Sequence, residues 1–164
     1  MAAPADATRI AYRAVDLPDV GPLDLWRYEY FVSERDFASG EGFSIRFPVG
    51  TARDLVPVSG PADLDWDVLA LQPEPLLASD GRYDAQARIA AATLLSGFTL
   101  DFHWLSDGTP GAQFFEIYDP GFEVLETGQT MLVPEPGTAL LLAAGLVALA
   151  RRRDRMTADS RERL

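Results

Sequence analysis

The sequence predicts an all-β body, an antiparallel β-sandwich of immunoglobulin-like or jelly-roll-like type, followed by one C-terminal transmembrane α-helix. Three observations carry this. From Leu25 onward apolar and polar residues alternate with period two, the mark of half-buried strands. Gly- and Pro-rich turns recur at spacings of roughly ten to fifteen residues. Near the end, Thr138 to Ala150 is an apolar run of 13 residues closed by Arg151, Arg152 and Arg153.

The strands follow in order. Residues 1–22, with Pro4, Pro18 and Pro22, read as a loosely ordered lead-in containing one edge strand at Arg9 to Val15. The sandwich proper is expected over residues 23–132. In LWRYEYFVSE, Trp26, Tyr28, Tyr30 and Val32 share one face and Arg27 and Glu29 the other. GFSIRFPVG turns Phe43, Ile45 and Phe47 inward and Arg46 outward, and stops at Pro48, which has no N–H to donate. A hairpin or short connection across FASGEG is the natural link between these two.

LDWDVLALQ sets Leu64, Trp66 and Val68 against Asp65 and Asp67, and Pro73 to Pro75 ends it. After the Ser79 to Gly81 turn, RYDAQARIAAATLL suits either a helix or a strand with Ala85, Ala87, Ile89 and Ala91 on one face; its strand neighbours favour the strand. SGFTLDFHW places Phe98, Leu100, Phe102 and Trp104 on one face and Thr99, Asp101 and His103 on the other. Two short strands flank the Asp119 to Gly121 turn, giving six or seven strands in all.

Charge and composition narrow the function. Of the 14 basic residues, all Arg, 8 lie in Met1 to Pro136 against 22 acids, a net of −14; Gly137 to Leu164 holds 6 Arg against 3 acids, a net of +3. So acidic a body repels phosphate backbones, which argues against nucleic acid as a partner. The absence of cysteine excludes disulfides, thiolate zinc sites and Cys nucleophiles.

The run from Thr138 to Ala150 would span about 20 Å as a helix at about 1.5 Å per residue, short of the roughly 30 Å hydrocarbon core. It has no polar face, so a small sandwich cannot bury it and a bilayer can. The arginines that follow belong on the cytoplasmic side, which sets the acidic body across the membrane. Snorkelling arginine side chains relieve part of the length mismatch. Residues 154–164 form a basic polar tail. The opening residues show no apolar h-region, so no secretory signal peptide is read there. AAPADA nevertheless has the small-residue texture of a cleavage site, which fits a start lying upstream.

The segment VPEPGTALLLAAGLVALARRR, residues 133–153, resembles the C-terminal sorting signal of PEP-CTERM proteins: Val133, Pro134, Glu135 and Pro136 as motif, 138–150 as membrane helix, Arg151, Arg152 and Arg153 as basic stop. The resemblance implies export by an N-terminal signal, temporary retention by the helix, and cleavage near the motif by an exosortase. That enzyme is a membrane transpeptidase-like protein of Gram-negative bacteria that make exopolysaccharide. The mature product would be a cell-surface or exopolysaccharide-matrix protein, held in the envelope membrane before processing and at the surface or outside the cell afterwards. LDWDVLALQPEPLL, FSIRFPVG and GTPGAQFFEIYDPGFEVLETGQT are similar to the β-rich bodies carried ahead of such signals.

No enzyme is expected in the body, and no cofactor. Asp63, Asp65 and Asp67 with Glu74 stand at positions 1, 3, 5 and 12 of a calcium-loop spacing, but position 6 is Val68 rather than Gly and the flanks read as strand. Acids on the wet face of a strand explain the same residues without metal. His103, the one histidine, has Asp101 beside it at i−2, with no nucleophile elbow nearby. The aromatic stripes at Trp26 to Tyr30 and Phe98 to Trp104 would be sugar platforms if they faced solvent, and core otherwise. The reading is therefore a non-catalytic exported protein, with a carbohydrate- or calcium-binding β-sandwich module as the alternative.

Overall fold

The computed structural model describes residues 7–19, 21–58, 64–94 and 97–133. The chain divides into two units, Met1–Leu132 and Val133–Leu164. Pro134, Glu135, Pro136, the expected membrane helix at 138–150, Arg151 to Arg153 and Asp63 lie outside the described residues. Among the described residues no helix is long and apolar enough to cross a membrane.

Among its described residues the first unit is all-β. Its strands are β1 (Arg9–Asp16), β2 (Asp24–Ser33), β3 (Gly42–Phe47), β4 (Ala52–Val58), β5 (Trp66–Leu71), β6 (Gly81–Ala87), β7 (Phe98–Trp104), β8 (Phe114–Tyr118), β9 (Val124–Gln129) and β10 (Met131–Leu132). They form two five-stranded sheets: sheet A in the order β10-β1-β2-β7-β4 and sheet B in the order β5-β6-β3-β8-β9. Every pairing is antiparallel except that of β10 with β1, which runs parallel at Ala11 and Tyr12. β1 is thus covered along part of the edge that the sequence reading left open.

Alternation builds the core. Trp26, Tyr28, Tyr30 and Val32 on β2 and Phe98, Leu100 and Phe102 on β7 meet Phe43, Ile45 and Phe47 on β3 and Tyr83 and Ala85 on β6. The Tyr28 ring stacks between Tyr30, at 5.4 Å, and Phe102, at 4.9 Å. Phe98 meets Phe43 edge-on at 5.0 Å and Trp66 at 5.1 Å, joining the sheets. Such pairs add to the burial of large apolar area. The aromatic stripes are core, so neither serves as a sugar platform.

Buried tyrosine hydroxyls need partners. The segment before β8 supplies them: Tyr28 Oη donates to Gly111 O at 2.7 Å and Tyr30 Oη to Gln113 Oε1. Gln113 is fixed in turn by exchange with Thr130, its N–H donating to Thr130 Oγ1 at 2.8 Å.

Several local expectations are corrected. Of the two links expected across FASGEG, the structure has the short connection and not the hairpin: β2 ends in sheet A, β3 starts in sheet B, and Phe37 drops into the core between them. Leu64 is 86% exposed, because it precedes β5, an edge strand whose buried side starts at Trp66. β6 stops at Ala87. Ile89 is then exposed and Ala91 takes φ 54°, so the face expected to continue through them breaks off.

β4 is unforeseen for a clear reason. Its buried residues are Ala52 and Leu55, three apart, since a bulge between Arg53 and Val56 shifts the register and Asp54 takes φ 54°. The Gln72 side chain stands in for a neighbouring strand, accepting from Leu55 N–H at 2.8 Å and donating to Leu55 O at 2.7 Å.

Gly42 on β3 faces outward at a point where a Cβ would run into Ala85 O and the Tyr118 ring. A carbonyl in a ladder cannot yield cheaply. Gly42→Ala is therefore expected to destabilise the body by about 1–3 kcal/mol or more, read as a lower midpoint in urea; an unchanged midpoint would show that Tyr118 swings away freely.

Candidate functional site

The outer face of sheet A is a ladder of ion pairs. Arg27 clasps Asp101 on the neighbouring strand through Nε at 2.6 Å and Nη2 at 2.9 Å, and Arg13 meets Glu29 at 3.2 Å. The hydrogen bond to Asp101 raises the Arg27 guanidinium above its ordinary value. His103 turns instead to Asp54 on the β4 bulge, Nδ1 to Oδ2 at 3.0 Å, and Arg53 joins Asp54 at 3.3 Å. His103 and Asp101 therefore share a face without sharing a proton.

The spaced acids go to separate tasks. Asp65 Oδ2 accepts the Thr93 N–H at 2.9 Å, which holds its carboxyl below the usual range. Asp67 pairs with Arg88 at 3.3 Å. Glu74 closes a small bridge with Ser79 through its backbone, around the 3₁₀ turn Pro75–Leu77. Among the described residues, three acids do converge elsewhere: Asp16, Asp19 and Asp24, between β1 and β2, have carboxylate oxygens within 4.8 Å of one another. Asp19 already accepts the Leu25 N–H at 3.0 Å.

The outer face of sheet B is different. It carries a cleft of ≈ 480 Å³ that crosses the sheet from β5 to the β8–β9 turn. Register explains its floor. Asp84 on β6, Ser44 on β3 and Glu116 on β8 stand side by side in one row, and Arg82 faces Arg46 in the next. Ser44 is only 2% exposed, roofed by longer neighbours. Arg46 Nη2 donates to Glu116 Oε1 at 2.8 Å, and its Nε–H is buried with no acceptor among the described residues.

At the cleft's β8–β9 end the turn is tightly built. Asp119 Oδ1 accepts the N–H groups of Gly121, at 2.8 Å, and Glu123, at 2.9 Å. This holds Phe122 at φ 64°, with its ring stacked on Tyr118 at 5.4 Å and 28°.

Burial pushes the Asp84 carboxyl above the ordinary aspartate range; Ser44 and the Arg82 charge pull it back, and Glu116 adds to the rise. A raised carboxyl opposes folding when ionised. Its penalty is absent below about pH 3.8, the ordinary value, and grows as pH climbs through the raised one. The melting temperature of Asp84→Asn relative to the parent is therefore expected to improve from below pH 3.8 to pH 7; a difference that stays flat over that window would contradict the assignment.

Sequence reasoning missed this face. Arg46 reads as the wet side of its own strand, and Arg82, Asp84, Gln86 and Glu116 are not singled out by the sequence at all. Only the β6-β3-β8 order brings them together.

The C-terminal segment is placed by comparison with known proteins. Residues 132–154 match the family model of the PEP-CTERM protein-sorting motif. The chain carries a PEP-CTERM sorting motif. The match takes in Val133, Pro134, Glu135, Pro136 and Arg151 to Arg153. No curated protein matches the chain. One solved structure resembles it, the GH20 exo-β-N-acetylglucosaminidase of Vibrio harveyi in complex with N-acetylglucosamine. The likeness has 14% identity and a TM-score of 0.41, and covers 79% of this chain but 18% of that one. A likeness at that level says nothing about function.

Proposed function

We propose that this PEP-CTERM chain is an exported, non-catalytic cell-surface or matrix protein, retained in the membrane by its C-terminal segment and released by an exosortase that cleaves near Pro134–Pro136. The observation that carries the reading is the motif match over residues 132–154. The charge pattern supports it. An acidic body of net −14 followed by Arg151 to Arg153 fits a body outside and arginines inside.

The non-catalytic part rests on the chemistry of the body. Its one histidine is taken by Asp54 on a sheet face, and the Asp beside it is held by Arg27. A general base needs a nucleophile within hydrogen-bond reach and a partner that orients it; among the described residues His103 has only the second.

The test is topological. Intact cells of the native host are treated with an external protease, and the body is followed with an antibody. Digestion without lysis is the expected result. A body that is cut only after lysis lies inside, and the export reading fails.

A further inference from the structure

We propose that the outer face of sheet B is a binding cleft for a neutral saccharide chain. The inference stands apart from the sorting reading, since it concerns the β-body alone.

Its ≈ 480 Å³ falls within the size range of small-molecule sites. The two components of sugar recognition meet in it. A sugar ring offers an apolar C–H face to an aromatic ring and hydroxyls to polar side chains around its rim. Phe122 offers the ring: it is 69% exposed and backed by Tyr118, so one face is packed and the rest open to a ligand. A non-glycine residue at φ 64° is in a strained conformation, and here the Asp119 turn holds it, fixing the ring at the cleft's end.

Arg46, Asp84, Gln86 and Glu116 offer the donors and acceptors, from three adjacent strands whose spacing is set by the ladder. Groups on a sheet are held more firmly than groups on loops.

Charge selects among saccharides. Arg46 and Arg82 face Asp67, Asp84 and Glu116 within the cleft, and Arg46 is already paired to Glu116. No cationic surplus remains for a uronate or sulfate, and the acidic body repels a polyanion at a distance. A neutral polyhydroxylated chain suffers neither penalty.

The experiment is affinity electrophoresis of the full chain in a polyoxyethylene detergent, which has no sugar head group. Gels are cast with neutral polymers (a β-glucan, a galactomannan, a dextran) or with alginate. Retardation by at least one neutral polymer and not by alginate is expected. Phe122→Gly removes the ring while suiting the positive φ, so the fold is kept; Phe122→Gly and Glu116→Gln should each weaken retardation at least about tenfold, the loss of a stacked ring or of one charged hydrogen bond. Leu76→Ala, 98% exposed at the 3₁₀ turn, should leave it unchanged. No retardation by any neutral polymer, retardation by alginate alone, or retardation that survives Phe122→Gly would each overturn the proposal.

Discussion

Trp66→Ala is expected to lower the stability of the body by about 3–5 kcal/mol, the cost of deleting a large buried aromatic side chain. Trp66 is 1% exposed. Its indole meets Phe37 and Phe98 edge-on, both at 5.1 Å, and donates from Nε1 to Thr93 O at 2.9 Å. Truncation opens a cavity between the two sheets and strips the Thr93 carbonyl of its donor, two losses that reinforce each other. Domains of this size are stable by roughly 5–15 kcal/mol, so the variant approaches the folding threshold. Urea unfolding followed by circular dichroism measures it, with Leu76→Ala as a surface control expected within about 0.5 kcal/mol of the parent. A Trp66→Ala midpoint close to that of the control would contradict the packing described for the core.

The second large effect is on processing. Replacing Pro134, Glu135 and Pro136 together by alanine is expected to remove the processed form in the native host, leaving only protein that runs to Leu164. Alanine frees the backbone that proline restricts at its own position and at the residue before it, and it removes the one charge of the motif. The body is untouched by the change. Its urea midpoint, measured on the purified variant, should equal that of the parent, which separates a sorting defect from misfolding. Immunoblots of envelope and medium read the outcome: wild-type amounts of cleaved product in the variant would place recognition elsewhere.

How far the sequence carries can be seen strand by strand. β2 and β7 were legible because each has a wet face and a core face over its whole length, so Trp26, Tyr28 and Tyr30, or Phe98, Leu100 and Phe102, fall in period two. β8 and β9 were legible because Asp119, Pro120 and Gly121 mark the turn between them. β4 was not, because its bulge spaces the buried Ala52 and Leu55 by three and Pro57 stands inside it. The parallel partner β10 is two residues long, too short for any period.

The sorting segment was the most readable part of the chain. Its signal is composition and order: Val133 to Pro136, an apolar run, then arginines, with no need of tertiary contacts. The cleft was the least readable. Arg46, Asp84 and Glu116 are separated by up to 70 positions in the chain and meet only through strand order, which alternation within a strand does not encode. Phe122 escaped notice for a related reason, since a lone aromatic after a turn carries no periodic signal.

The central claim is that residues 132–154 are a working sorting signal. Its most direct test is the intact mass, with fragmentation of both ends, of the protein recovered from the envelope and medium of the native host. A product ending between Val133 and Gly137 is the result the account predicts. Membrane-bound protein that still ends at Leu164, with its body facing the cytosol, would contradict it.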